Sequence, residues 1–301
     1  MSAVPVPVAG LLAVVGDLHE DIVVWAAGEL RYGSDTACTV WRSRGGSAAN
    51  VAALAAGIVP TRFIGCVGPD AAGDQLVADL ARHGVDVRVQ RGTRTGTCVI
   101  LVDATGERTM FPDRAASAEL ADVPLAWLDG VQLLHAPSYA FGSGPAAGAT
   151  EDLLRSARRS GIAVSLDASS TAMLEEYGRP RYLDLVDRLR PTLFFANAQE
   201  AAILDVTRPQ FHDALCVVKD GAAPTRIVVS GRIVETIPVP ALDAVRDSTG
   251  AGDAFAAGFL AAHLRGLDPA SAVRAGHERA RTVLLSPGAT TSRPTSEGRL
   301  R

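Results

Sequence analysis

Residues 246–259 read RDSTGAGDAFAAGF, and the reading of that stretch organises the rest of the chain. Gly250, Ala251 and Gly252 carry little or no side chain, so their backbone N–H groups can approach a ligand closely. Beyond them Phe255 and Phe259 lie one turn apart, Leu260 and Leu264 likewise, and Gly266 supplies a stop. This spacing predicts a helix that starts at the glycines. The unpaired N–H groups and the dipole at a helix N-terminus favour an anion. Asp253 falls in that first turn, beside the anion position. Acidic residues stabilise many first turns, but that explains neither the paired glycines nor Asp247 upstream. An anion hole next to a carboxylate suits phosphoryl transfer. The N–H groups hold the migrating group, and the carboxylate takes the proton of the attacking hydroxyl. Two other glycine loops are excluded: Phe255 occupies the third glycine position of GxGxxG, and GxxxxGK[ST] occurs nowhere.

Upstream, short β-rich apolar runs recur, among them LLAVVG, TRFIGCVG, VQLLHA, GIAVSLD, TLFFAN and LCVVKDG. Stretches of helical period alternate with them, such as NVAALAAG, GDQLVADLARHG and TEDLLRSARRSG. Uniformly apolar strands alternating with helices predict a mostly parallel sheet covered on both faces. Two segments differ, at about residues 22–42 and 94–112. They read as alternating strands with hairpin turns, clearest at ATGE, and predict a small antiparallel flap beside the main sheet. The polar end TTSRPTSEGRLR is expected to fray.

Bulk properties narrow the function. The 301 residues are 48% hydrophobic and 21% charged, an ordinary globular balance, and there is no internal repeat. A net charge of -4 leaves no basic footprint for nucleic acid. No apolar run reaches the roughly 18 residues of a membrane span. VAGLLAVVG, with no basic stretch before it, reads as a first buried strand rather than a signal peptide. Cys38, Cys66, Cys98 and Cys216 are scattered without a CxxC pair, which points away from a zinc site or a disulfide framework and towards reduced thiols in a cytoplasmic protein. His83, His135, His212, His263 and His277 are dispersed without metal-ligand spacing and read as structural or surface residues.

DSTGAGDAF resembles the C-terminal signature of the ribokinase-like (PfkB-type) carbohydrate kinases, and further blocks occur in the family's order. GGSAANVAALAAG at 45–57 and FIGCVGPDAAGDQLVADLARHGVDV at 63–87 form one. AVVGDLHED is similar to the opening strand, NAQE at 197–200 to the NxxE motif, and VVKDG to the nucleotide-side strand and turn. The likeness runs from about Leu11 to Arg293. It implies one ribokinase-like kinase domain over residues 1–301, with the two lid segments inserted. The implied fold is an α/β three-layer α/β/α sandwich with a mostly parallel central sheet and a small antiparallel β lid.

The resemblance also implies roles. Asp253 matches the catalytic base, and Gly250, Ala251 and Gly252 the anion hole. Asn197 and Glu200 match the pair that orders the phosphates and hydrated Mg2+, with Glu200 acting through water. Asn as an ordinary helix cap is the plainer reading of NAQE taken alone. Lys219 and Gly221 match the ATP-facing turn, and Asp247, Thr249, Gly288 and Ser292 a monovalent-cation (K+) site. Asp21, Gly45, Gly46 and Asn50 match the sugar-binding positions, where glycines let a polyol lie against backbone. Arg114 falls near substrate in relatives, and a surface arginine is the alternative. Tyr139 is either a pocket or a core aromatic. Trp25 and Trp41 fall in the lid and suggest a homodimer through it.

The chain also departs from the pattern. His19 and Glu20 precede Asp21 where ribokinases carry Asn and a small residue, and GGSAAN lacks their lysine, which argues against assigning ribose. The stretch between Glu200 and Lys219 is short, and Pro224 offers no N–H to a nucleotide loop. The reading is therefore an ATP- and Mg2+-dependent kinase of a small sugar or sugar-like acceptor. A nucleoside kinase of the same fold is the alternative, and a non-catalytic sugar or nucleotide sensor the rival from another class.

Overall fold

The structure, a computed structural model, describes residues 10–103, 106–242, 245 and 248–285. The polar C-terminal end and the positions Asp247, Gly288 and Ser292 lie outside them.

The chain begins with β1 (Leu11–Val15), β2 (His19–Ala26), β3 (Cys38–Gly45), α1 (Ser47–Ala56), β4 (Thr61–Val67), α2 (Ala71–Arg82) and β5 (Val85–Arg91). It continues with β6 (Gly96–Val102), β7 (Arg108–Asp113), β8 (Val131–Pro137), α3 (Pro145–Arg159), β9 (Ala163–Asp167), α4 (Thr171–Tyr177) and α5 (Arg179–Leu189). The last elements are β10 (Leu193–Asn197), α6 (Ala198–Leu204), β11 (Leu215–Asp220), β12 (Ala223–Val229), β13 (Arg232–Ile237), α7 (Ala251–Leu264) and α8 (Pro269–Leu284).

Nine strands form one sheet in the order β13-β12-β11-β10-β9-β8-β1-β4-β5. All neighbours from β5 to β11 pair in parallel, and β12 and β13 add an antiparallel edge. Alternate side chains of one strand enter opposite apolar layers. Leu12 and Val14 of β1 pack with α1, α7 and α8, while Ala13 and Val15 pack with α3 and α5. In β10, Phe194 and Phe195 divide in the same way. Burial on both faces is why these strands are apolar throughout. The result is a three-layer α/β/α sandwich.

Helix α7 is buried over nine consecutive residues, Ala254 to Ala262, so it has no polar face. Such a helix is stable only inside a layer, and α1 and α8 flank it. Its start is fixed at Gly250, whose φ of 73° is left-handed and suited to glycine. The helix expected from the 246–259 stretch is therefore present.

The lid is a second sheet of order β3-β2-β6-β7. It consists of two antiparallel hairpins, as expected, whose inner strands β2 and β6 run parallel to one another. It starts earlier than the alternation suggested, at His19, because His19 and Asp21 are polar on the face that looks inward. Among the described residues, no helix is long and apolar enough to cross a membrane.

Candidate active site

The sheet sets the place of the site. From β1 the order runs to β4 and β5 on one side and to β8, β9, β10 and β11 on the other. Loops leaving β1 and β8 therefore diverge, opening a crevice at the carboxyl ends of the strands, where ligands of open α/β sheets bind. Asp17 follows β1 and Tyr139 follows β8, while Asp167, Asn197 and Lys219 stand at or near the ends of β9, β10 and β11. All of them line one cavity of about 1320 Å³ that the lid roofs on one side. Sites for a single small ligand span roughly 300–1,000 Å³. This cavity exceeds that range. Every residue matched to a family catalytic, substrate, nucleotide or metal position and lying within the described segments lines it, except Gly45.

At its centre Asp253 lies between the N-termini of α1 and α7. Ser47 Oγ donates to Asp253 Oδ1 (2.6 Å), and Asn50 Nδ2 donates to Oδ2 (3.0 Å). The carboxylate opens to the cavity and is enclosed by protein elsewhere. Burial pushes its pKa up to about 6. The bonds from Ser47 and Asn50 resist that rise, Asp167 adds to it, and Lys219 opposes it. Asn50 thus holds the carboxylate, while its buried Oδ1 has no protein partner. Ser47 escaped the sequence reading, although GGSAAN places it one helical turn before Asn50.

The amides of the glycine turn are not equivalent. Ala251 N–H turns back to the carbonyl of Ser248 (3.2 Å), so the other first-turn amides of α7 belong to Gly252 and Asp253. A Cβ at Gly252 would stand 3.7 Å from Lys219 Nζ, which places that ammonium beside the turn. Lys219 is therefore central to the cavity, whereas its family position suggested the nucleotide turn. Its Nζ donates to Asp167 Oδ2 (3.0 Å). Burial pulls the ammonium's pKa down, but Asp167, Glu200 and Asp253 outweigh it and hold the value above the ordinary one. Asp167 ends the run GIAVSLD, and strand-end position was the signal that could have found it.

Asn197 and Glu200 close a reciprocal cap on α6. Asn197 N–H and Nδ2 each donate to the Glu200 carboxylate (both 2.8 Å), and Glu200 N–H donates to Asn197 Oδ1 (2.9 Å). The cap and the functional reading coexist, because Glu200 is 3% exposed and still faces the cavity. Burial, then Asp167, raises its pKa. Its oxygens each already accept a hydrogen bond, and a hydrated magnesium reached through water fits the lone pairs that remain.

At the lid side of the cavity, Arg114 is not a surface arginine. Its Nε and Nη2 donate to the two oxygens of Asp17 (3.0 and 2.7 Å). Asp17 is buried and escaped the sequence reading, although it stands in AVVGDLHED. Asp21 faces the cavity because Gly45 has no side chain, and a Cβ at Gly45 would overlap its carboxylate. Gly45 thus serves Asp21 rather than a ligand directly. Gly46, with φ of 99°, passes against the Asp17 carbonyl, where a side chain would collide. Tyr139 lines the cavity and is half-exposed, so it is not a core aromatic.

At the other end lie Gly221, Thr225 and His277. His277, read from sequence as structural, accepts or donates at Thr225 Oγ1 through Nε2 (2.9 Å) and leaves Nδ1 buried without a partner. His135, in contrast, is fully buried against Ser165 and is structural as expected.

A doubly covered parallel sheet with a carboxylate, a glycine turn and a buried lysine at its carboxyl edge defines a phosphotransferase of the carbohydrate kinase class. The chain matches the pfkB family carbohydrate kinases over residues 10–296 and belongs to that family. It is similar to a fructokinase of Klebsiella pneumoniae, 33% identical over 72% of this chain and 76% of that protein. It is also similar to an ATP-dependent ribose-1-phosphate kinase of Halopiger xanaduensis, 32% identical over 80% and 83%. An adenosine kinase structure from Sinorhizobium meliloti superposes with a TM-score of 0.81 at 24% identity, covering 95% and 96%. Kinases of this family use ATP, typically with magnesium, and phosphorylate an alcohol group of a sugar or nucleoside.

Proposed function

We propose that this chain, as one catalytic domain with an inserted lid, transfers the γ-phosphoryl group of ATP to a hydroxyl of an uncharged sugar or nucleoside. The carrying observation is the Asp253 carboxylate, held by Ser47 and Asn50 at the junction of two helix N-termini in the middle of the cavity. Asp253 takes the proton of the acceptor hydroxyl as that oxygen bonds to the γ-phosphorus. The bond from phosphorus to the β,γ-bridging oxygen breaks, and ADP leaves. The amides of Gly252 and Asp253, with Lys219, hold the migrating group. Asn197 and Glu200 hold the hydrated magnesium, which when bound neutralises charge on the donor phosphates. The base of ATP occupies the end marked by Gly221, Thr225 and His277. The lid excludes water, which would compete as acceptor.

The uncharged acceptor follows from the charges at the lid-side end. Asp17 and Asp21 both face it, and Arg114 is matched by Asp17. An anionic acceptor would meet a surplus of carboxylate. Cys98, Ile100, Met110 and Pro112 of the lid offer an apolar surface to the acceptor's body. ADP release across neutral sugars, nucleosides, sugar acids and sugar phosphates tests this. A neutral acceptor should lead its phosphorylated or acidic counterpart by at least about tenfold in kcat/KM, which corresponds to about 1.4 kcal/mol. A sugar phosphate as best acceptor would refute the assignment. Silence throughout, with thermal stabilisation by one compound, would favour the sensor.

A homodimer through the lid is supported by Trp25 and Trp41. Their rings stack at 6.1 Å yet remain 44% and 42% exposed. Such a patch is a common contact surface. Sedimentation should give a dimer that Trp25→Glu converts to a monomer, and a monomeric wild type would end this reading.

A further inference from the structure

Three metal-ligating side chains outside the transfer centre converge at the root of the lid. Residues 19 and 21 share one face of β2, and Asp21 lies opposite Cys98 of the parallel strand β6. His19 Nε2 is 3.3 Å from Asp21 Oδ1, and one ligand atom each of His19, Asp21 and Cys98 all lie within 4.8 Å of one another. We propose that His19, Asp21 and Cys98 form a binding site for a thiophilic divalent cation such as zinc, open on the cavity side.

The donor set selects the metal. One imidazole, one carboxylate and one thiolate suit zinc or cobalt, whereas magnesium takes oxygen ligands. Bond lengths of about 2.0–2.3 Å set tetrahedral ligand separations at roughly 3.4–3.6 Å. The His19–Asp21 pair already has about that separation, and Cys98 Sγ lies within 4.8 Å of a ligand atom on each. The three ligands come from one face of a sheet, so the fourth position is left to water or a ligand in the cavity, as in open zinc sites. Backbone packing fixes two of the donors: Gly45 gives the Asp21 carboxylate its place, and Cys98 is buried in β6. On binding, the Cys98 thiol proton leaves to solvent and the metal replaces the His19–Asp21 contact.

Occupancy would cover Asp21, so the metal should inhibit by excluding the acceptor; this consequence, unlike the site itself, rests on the acceptor reading above. The deciding experiment therefore reads the metal directly. The wild-type protein is titrated with Co2+ alone and followed by absorption, then Co2+ is displaced with Zn2+. A near-ultraviolet thiolate-to-cobalt charge-transfer band with tetrahedral visible bands is expected at one equivalent. Cys98→Ser should abolish the charge-transfer band, and His19→Asn should weaken zinc binding by more than about tenfold, the least expected when even an outer partner is lost. Cys38→Ser, which removes the exposed thiol, should leave the band in place. Absence of the band in wild type overturns the site. So does a band that survives in Cys98→Ser and disappears in Cys38→Ser.

Discussion

Asp253→Asn should retain the fold and nucleotide binding and lose about 10²–10⁴-fold or more in kcat. General-base loss costs that much, and more where base and anion hole act as a unit. The substitution is nearly isosteric, and the surroundings can accommodate it. Ser47 Oγ can still donate to the new amide oxygen. Asn50 can turn its unpartnered Oδ1 towards the new amide nitrogen. Folding stability should therefore change little, while the carboxylate assigned to take the hydroxyl proton is gone. Single-turnover ADP formation beside calorimetric binding of nucleotide separates the two effects. Near-normal turnover with intact binding would remove Asp253 from the chemistry.

The second large effect is expected at Lys219. Its ammonium is the cation that Asp167, Glu200 and Asp253 all face. Lys219→Met leaves the Asp167 carboxylate without its charged partner and should cost about 1–3 kcal/mol in denaturant unfolding, the range for a largely buried polar group left unsatisfied. Pairing it with Asp167→Asn should restore much of that loss, because the buried charge left behind disappears as well. The kinetic consequence has a definite sign. Asp253 acts as base only when ionised, and its ionised fraction falls as pH falls through about 6. The wild-type profile of kcat/KM should therefore have an acid limb near pH 6. Lys219 holds that pKa down against burial and Asp167. The variant's limb should therefore lie at higher pH, with activity at neutral pH reduced beyond the loss of the ammonium itself. An unchanged limb would mean that Lys219 does not act on Asp253.

Much of this was legible in the sequence because the signals are local. Uniform apolarity marks strands buried on both faces, and the chain's TRFIGCV and LLAVV runs are such strands. Gly250 has no side chain to oppose a left-handed φ, so the start of α7 could be placed from three residues. Asn197 and Glu200 stand at cap spacing, which is a property of one helical turn.

What the local signals lack is the partner across the fold. Asn50 matches a sugar-binding position by its motif, and only the fold shows its bond to Asp253, 203 positions away. For Arg114 the motif leaves a place near substrate and a surface role both open, and the pairing with Asp17 after β1 shows only in the fold. Lys219 matches the nucleotide-facing turn by its motif, and only the meeting of β9, α6 and α7 beside it shows three carboxylates, Asp167, Glu200 and Asp253, converging on one ammonium. The cysteines illustrate the same limit: linear spacing carries no sign that strand register sets Cys98 opposite Asp21, two residues along β2 from His19. Composition, periodicity and short motifs determined the layers, the lid and the glycine turn at the start of α7, since each depends on neighbours in the chain. Pairing of charges, the pKa of the carboxylate and the division of the cavity were decided by tertiary structure, because they depend on which strand ends and helix N-termini the topology brings together.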